Sequence, residues 1–178
     1  MQKRILCALL PLLLISTNVI AKNKVSHKSK TIQSHKRYHP TDDLECLSRN
    51  IYHEASGESE EGQKAVGMIT INRAKSDSKA FKNTICNVVY QSGEFSWVAK
   101  NPSIKDTETY NKIKVIAKKL YDDYYINSIV PDKLQILKNV MYFSRGTPKG
   151  FTTVTTIGNH KFSKPEPIKT KKSKHKRA

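Results

Sequence analysis

The sequence lacks the signatures of several common enzyme classes. It contains no G-x-S-x-G segment and no glycine-rich phosphate loop, which excludes a serine hydrolase of that type and a P-loop nucleotide enzyme. His53-Glu54 satisfies the first two positions of the zinc-protease motif H-E-x-x-H, but Gly57 stands where the second histidine belongs. We therefore expect no metal and no cofactor; a zinc site assembled from His53, His160 and scattered acids is the alternative.

The start of the sequence also lacks an apolar run long enough to span a membrane. The apolar run 5–15 contains a proline and falls short of the roughly 20 residues that a membrane-spanning helix needs. Basic residues precede it, and Val19-Ile20-Ala21 offers small side chains before a cleavage site. Residues 1–21 are therefore predicted to be a signal peptide, and the mature protein is expected in the periplasm or outside the cell. An uncleaved anchor is the alternative.

Cysteine is scarce, with three residues in the chain. Cys7 lies in the predicted signal peptide, which leaves Cys46 and Cys86 in an oxidising compartment, where an even pair predicts a disulfide. By the loop-entropy model, such a link contributes roughly 3–4 kcal/mol to stability. A thiol nucleophile paired with His53 or His160 is the alternative.

Acidic residues are few, and the formal net charge is +17. Residues 22–39 hold six basic residues and no acid, and residues 161–178 hold eight beside Glu166 alone. Residues 40–160 are nearly balanced, with 16 basic and 14 acidic side chains. The charge therefore predicts weak attraction of the tails to anionic envelope polymers or lipid, with plain solvated disorder as the alternative. Nucleic-acid binding is not expected, because no basic groove with interleaved aromatic residues is evident.

The composition predicts one folded domain, residues 41–162, and a monomer. It lies between a basic disordered linker, 22–40, and a basic disordered tail, 163–178, both poor in apolar residues. Apolar spacing predicts helices over 41–55, from Ser59 through Arg73, around 85–89, over 107–125 and, as a single turn or short helix, over 132–138. Two strands, 139–144 and 151–162, are predicted around a turn-rich loop. The expected fold class is α+β, mostly helical, with a small C-terminal β-element.

Glu54 is the candidate acid. At 100° per residue it lies beside Leu47 and Ile51, at the edge of the apolar stripe of the first predicted helix. Partial burial there would raise the pKa of its carboxyl and keep it protonated near neutral pH, as a general acid requires. An ordinary solvated glutamate is the alternative that periodicity alone allows.

Several sequence blocks then occur in a fixed order. They are IYHEASGE (51–58), EGQ (61–63), INR (71–73), VVYQ (88–91), FSW (95–97) and IGNHKF (157–162). On these blocks the chain resembles the cell-wall hydrolase family that includes the spore-cortex-lytic enzymes. The resemblance implies a lysozyme-like fold related to lytic transglycosylases and identifies Glu54 as the catalytic acid. Glu58 is the second candidate catalytic residue, and we favour a supporting role for it, by positioning a water, tuning Glu54 or capping the next helix.

The same resemblance and the residue types suggest a sugar-binding cleft. The candidate substrate-binding residues are Asn72, Tyr90, Gln91, Phe95, Ser96, Trp97, Tyr142 and His160. Core packing is the alternative for Phe95 and Trp97, a loop cap for Asn72, and a structural histidine for His160.

The function expected from the resemblance is cleavage of the β-1,4 bond between N-acetylmuramic acid and N-acetylglucosamine in peptidoglycan. A hydrolase needs two carboxyl groups at a set separation, whereas a lytic transglycosylase needs one acid. Because Glu58 is only four residues from Glu54, with a turn between, the sequence favours a transglycosylase. Muramidase or glucosaminidase hydrolysis, a metal-dependent amidase and a non-catalytic envelope-binding protein are the alternatives.

Overall fold

The structure, a computed structural model, describes residues 40–167. The predicted signal peptide, residues 22–39 of the predicted linker and residues 168–178 of the predicted tail lie outside these residues. Residues 163–165, which the composition places in a disordered tail, form the end of the last strand instead. The elements, in chain order, are α1 (Pro40–Ala55), α2 (Glu60–Lys75), α3 (Ile85–Val89), α4 (Thr107–Leu120), a π-helical segment (Tyr121–Ile126), a 3-10 helix (Asp132–Leu137), β1 (Tyr142–Ser144), β2 (Phe151–Ile157) and β3 (His160–Pro165). The predicted α+β class, mostly helical with a C-terminal β-element, is confirmed.

Local caps explain where the helices begin. The Ser59 hydroxyl accepts a hydrogen bond from the backbone N–H of Gly62 and so caps α2 where the sequence predicts. Asp106 caps α4 in the same way through Thr109. The predicted helix over 107–125 is present, but its last part is π-helical rather than α-helical.

The core is built around α2, which is buried along nearly its whole length from Gly62 to Ala74. Gly67 lets α1 and α4 approach α2 closely, because a Cβ atom there would lie 2.8 Å from both Ile51 and Leu120. No helix in residues 40–167 is long and apolar enough to cross a membrane.

A disulfide joins α1 to α3 through Cys46 and Cys86, the pair expected from the sequence. The sulfur atoms are buried with the core, and the two Cα atoms are 5.2 Å apart. The carboxylate of Asp43 reinforces the same junction by accepting a hydrogen bond from the Cys86 backbone N–H at 2.8 Å. The start of α1 is therefore tied to α3 by a covalent bond and a buried hydrogen bond.

The β-element is an antiparallel sheet in the order β1-β3-β2. The prediction of a single strand over 151–162 is wrong: a turn at Gly158 and Asn159 divides it into β2 and β3. Gly158 adopts φ +57°, which glycine reaches without steric cost, so the β-branched run reverses there. Phe162, fully buried, anchors the sheet to the helical core.

Candidate active site

Glu54 is the second-last residue of α1, and its side chain is half-buried. Burial raises the pKa of its carboxyl, and the positive charges of Arg73 and Arg145 partly oppose the rise. Within residues 40–167, this carboxyl accepts no hydrogen bond. The direction of the pKa change expected from the helix periodicity is therefore confirmed, and the group is free to bind a ligand.

Arg73 is a site residue that the sequence reasoning did not single out. It projects from α2, and its Nε donates to the backbone carbonyl of Met141 at 2.7 Å, just before β1. Its Nη1 lies 3.2 Å from Oε2 of Glu94. The rings within 5.1–6.0 Å of its guanidinium carbon are those of Phe81, Phe95, Tyr142 and Phe143. Two signals could have found it: its place in the INR block and its place on the apolar stripe of α2, because a buried arginine requires partners.

Glu58 follows the end of α1, and its carboxylate binds the β2–β3 turn. Oε2 accepts the backbone N–H of Asn159 at 3.2 Å, and Oε1 accepts the side-chain amide of Asn159 at 2.9 Å. These hydrogen bonds lower the pKa of Glu58, so it is an anion at neutral pH. Glu58 neither caps the next helix nor stands free in solvent.

His160, the first residue of β3, is 6% exposed and belongs to the structural support. Its Nδ1 lies 3.9 Å from Oε1 of Glu58, and its ring meets Phe143 edge-on at 5.2 Å. Burial lowers the pKa of the imidazole, which keeps it neutral at pH 7. Of the two roles that the sequence allowed, the burial matches the structural histidine rather than the residue that touches substrate.

Trp97 and Phe95 also belong to the core, the alternative named for them from the sequence. The Trp97 indole donates to Oδ1 of Asn50 at 3.0 Å and packs on the His53 ring at 4.4 Å. Phe95 is 5% exposed and covers Arg73. Both side chains are therefore buried behind the site and support it by packing.

Asn72 lies in the core, and protein partners occupy its amide. Its Nδ2 donates to the carbonyls of Leu137 and Val140 at 2.9 and 2.6 Å, and its Oδ1 accepts from Tyr124 at 2.5 Å. It is only 5% exposed. Of the two roles named for Asn72 from the sequence, these contacts match the loop cap rather than substrate binding: Asn72 caps the end of the 3-10 helix, where the segment 132–140 folds back on α2.

The remaining candidates keep some exposure. Tyr90, Gln91 and Tyr142 are half-buried, and Ser96 is exposed. The Gln91 amide donates to the carbonyl of Ala80 at 2.7 Å and so holds the chain before α3. Tyr90, Ser96 and Tyr142 remain the candidates with surface available to a ligand.

The positive charge of Arg145 acts on several titratable groups of this region. It follows β1 directly, is exposed, and lowers the pKa of Glu54, Glu58 and His160 by its charge. The structure thus gathers the two glutamates, His160 and two arginines at one place between the end of α1, α2 and the sheet. In residues 43–167, no group of three or more His, Cys, Asp and Glu side chains is arranged to hold a metal ion.

Residues 57–163 match the protein family described as Cell Wall Hydrolase. Among solved structures, the chain is similar to the catalytic domain of the Bacillus cereus SleB protein, with 26% identity and a TM-score of 0.52 over 72% of this chain and 94% of that one. No curated protein gives a significant match. The family match includes Glu58 and Arg73 and begins three residues after Glu54.

Proposed function

The chain belongs to the cell wall hydrolase family, and on that premise we propose that it cuts the glycan strands of peptidoglycan with Glu54 as the acid. Family membership and the similarity to the SleB catalytic domain support peptidoglycan degradation in general and a location at the cell wall. The observation that carries the assignment to Glu54 is its half-buried carboxyl, whose pKa is raised and which no group in residues 40–167 hydrogen-bonds.

The proposed bond is the β-1,4 link between N-acetylmuramic acid and N-acetylglucosamine. Protonated Glu54 donates its proton to the bridging oxygen as the bond to muramyl C1 breaks and positive charge develops at C1. The Glu54 carboxylate then accepts the proton of the muramyl 6-hydroxyl, whose oxygen closes onto C1. The product is a 1,6-anhydromuramyl end, no water is consumed, and Glu54 is protonated again.

The surroundings of Glu54 suit a group that must exist in both forms. Burial favours the protonated acid, while Arg73 and Arg145 stabilise the carboxylate that remains after proton donation. Without these two cations the carboxyl would donate its proton less readily, because the carboxylate left behind would be partly buried without a neighbouring positive charge.

The state of Glu58 favours one essential acid over two. A hydrolase of the usual kind uses a second carboxyl as nucleophile or as base toward water. Both Glu58 oxygens instead accept hydrogen bonds from Asn159, which lowers their basicity. This supports a lytic transglycosylase over muramidase or glucosaminidase hydrolysis at the same site.

We further propose that Tyr90, Ser96 and Tyr142 contact the sugars, since all three keep exposed surface. Asn72, Gln91 and Trp97 instead use their side-chain N–H groups in hydrogen bonds within the protein. The proposal also includes export, with residues 1–21 as the signal peptide, and action as a monomer. It further includes attraction of the basic tails to anionic envelope polymers.

The decisive experiment is mass spectrometry of purified sacculi digested by residues 22–178, wild type beside Glu54→Gln. We expect anhydromuramyl fragments from the wild type and a loss of about 10²–10⁴-fold in the variant, the usual contribution of a general acid. Glu61→Gln, which alters an exposed glutamate in the first turn of α2, is the matched control and should keep full activity.

Each other outcome decides against part of the proposal. Reducing-end fragments that disappear in Glu54→Gln would make the enzyme a hydrolase with the same acid. Equal digestion by wild type and Glu54→Gln would remove Glu54 from catalysis. No digestion by either protein would favour a non-catalytic envelope-binding protein.

A further inference from the structure

We infer that Glu58 is a positioning residue: it clamps the β2–β3 turn onto the end of α1 and acts in catalysis only through Asn159. The inference rests on the proposed function and assigns the second acid of that site. It makes Glu58 the anchor of one wall of the site and not a second reacting carboxyl.

The backbone of Glu58 is held from both sides. Its N–H donates to the carbonyl of Ala55 at 3.0 Å, and its own carbonyl accepts the side-chain amide of Gln63 at 3.1 Å. Its side chain is only 10% exposed. The carboxylate therefore projects from a short loop that is tied to both α1 and α2.

The space around Glu58 is closed by two glycines. A Cβ atom on Gly62 would lie 2.9 Å from the Glu58 Cβ, and one on Gly158 would lie 1.9 Å from Oε2. Gly158 also has φ +57°, so this turn combines an unusual backbone conformation with a close approach to the carboxylate. A side chain at position 158 would strain the backbone and displace Oε2 of Glu58, the oxygen that accepts the Asn159 N–H.

The clamp, which is the pair of hydrogen bonds between Glu58 and Asn159, also holds Arg145 in position. Asn159 leads directly into β3, which pairs with β1 so that Lys161 lies opposite Ser144. Arg145 is the next residue, and its charge reaches Glu54, Glu58 and His160. A turn released from Glu58 would carry the free end of the sheet, and Arg145 with it, away from Glu54.

The competing hypothesis is a Glu58 that transfers a proton to or from water. The two hypotheses differ in what Asn159 should do. If Glu58 acts through Asn159, removing either partner breaks the same contact and the losses do not multiply. If Glu58 reacts itself, its loss is severe while Asn159 matters little.

The test is a double-mutant cycle in kcat/KM on sacculi, with Glu58→Gln, Asn159→Ala and the double variant of residues 22–178. We expect each single variant to lose roughly 10- to 100-fold, since a misplacement of about 1 Å in an active site can cost about 10²-fold. The double variant should be no more than about twofold worse than Glu58→Gln. Glu61→Gln and Asn87→Ala, which alter exposed side chains of the same types, are the matched controls.

A second readout separates positioning from a merely structural role. Asn159→Ala changes no charge, yet it should let Arg145 move away and so raise the pKa of Glu54, whose facing cations are Arg73 and Arg145. We expect the ¹³C NMR titration of the Glu54 carboxyl to move to higher pH in Asn159→Ala. This titration needs no turnover, so it tests the clamp even if Glu54→Gln proves active and the proposed function fails.

Three results would overturn the inference. They are an inactive Glu58→Gln beside a fully active Asn159→Ala, losses that multiply in the double variant, and a Glu54 titration that Asn159→Ala leaves unchanged.

Discussion

Nη1 of Arg73 lies 3.2 Å from Oε2 of Glu94, in a pair where the arginine side chain is 6% and the glutamate side chain 23% exposed. The cation is thus buried more deeply than its partner, and the carbonyl of Met141 supplies a further acceptor at 2.7 Å. A buried charge persists only with such compensation. Because the same cation acts on Glu54, the pair sets part of the field in which the proposed acid titrates.

The Arg73–Glu94 pair predicts opposite shifts of the pH–activity profile. Glu54 must be protonated to donate, so activity falls as the pH rises through its pKa. Arg73→Met removes a cation, raises the pKa of Glu54 and should move this alkaline limb to higher pH. Glu94→Gln leaves the cation uncompensated, lowers that pKa and should move the limb to lower pH. The measurement is kcat against pH on soluble peptidoglycan fragments.

Arg73→Lys is the control, since it keeps the charge and should leave the limb near its wild-type position. Shifts in the same direction for Arg73→Met and Glu94→Gln would show that both act through stability rather than through the charge near Glu54.

Asn72→Ala should lower stability without lowering activity. The change leaves the Tyr124 hydroxyl and the carbonyls of Leu137 and Val140 without their partner. Each buried polar group left unsatisfied costs about 1–3 kcal/mol, so we expect a loss of about 2–4 kcal/mol after relaxation. Urea unfolding measures this loss, and Asn111→Ala on the exposed face of α4 is the control. A raised KM with unchanged stability would instead return Asn72 to the substrate site.

Reduction of Cys46–Cys86 should destabilise the fold. The bond closes a loop of 40 residues and ties α1 to α3, so its loss should cost about 3–4 kcal/mol in free energy of unfolding. Urea unfolding with and without reductant gives the value, and Cys46→Ala/Cys86→Ala should reproduce it. A loss of activity in folded, reduced enzyme would contradict a purely structural bond.

Stability should fall on acidification because of Glu58 and His160. Hydrogen bonds lower the folded-state pKa of Glu58, so its contribution is present above the unfolded value of 4.5 and is lost as the pH falls through the folded one. Burial lowers the folded-state pKa of His160 below the unfolded value of 6.5. As the pH falls through 6.5, the unfolded chain therefore takes up a proton before the folded chain does, and this lowers the free energy of unfolding. Both effects have the same sign between pH 7 and 4.

Urea unfolding across this pH range measures the combined effect. Glu58→Gln should be less stable than wild type at pH 7 and should lose less stability on acidification. Parallel pH profiles for the two proteins would contradict the assignment.

Short-range patterns predicted much of the helical part. The start of α2 near Ser59, the end of α1 and the half-buried setting of Glu54 were predicted from patterns over one or two helical turns, because apolar spacing fixes which face of a helix is buried. The pairing of Cys46 with Cys86 followed from counting cysteines in a chain predicted to be exported. The division of 151–162 into β2 and β3 was missed, since Gly158 interrupts a run whose flanks both favour strands.

The sequence by itself determined the α+β class, the family and the candidate acid, because local periodicity and motif order depend on residues close together in the chain. Only the tertiary structure decided which polar side chains serve the fold and which stay free. Glu58 meets Asn159 across 101 positions, and Arg73 meets Met141 across 68. A buried polar group needs a hydrogen-bond partner, and the tertiary fold decides which residue that partner is. Helix periodicity identifies the buried face of a helix but not the partner that its polar residues will meet.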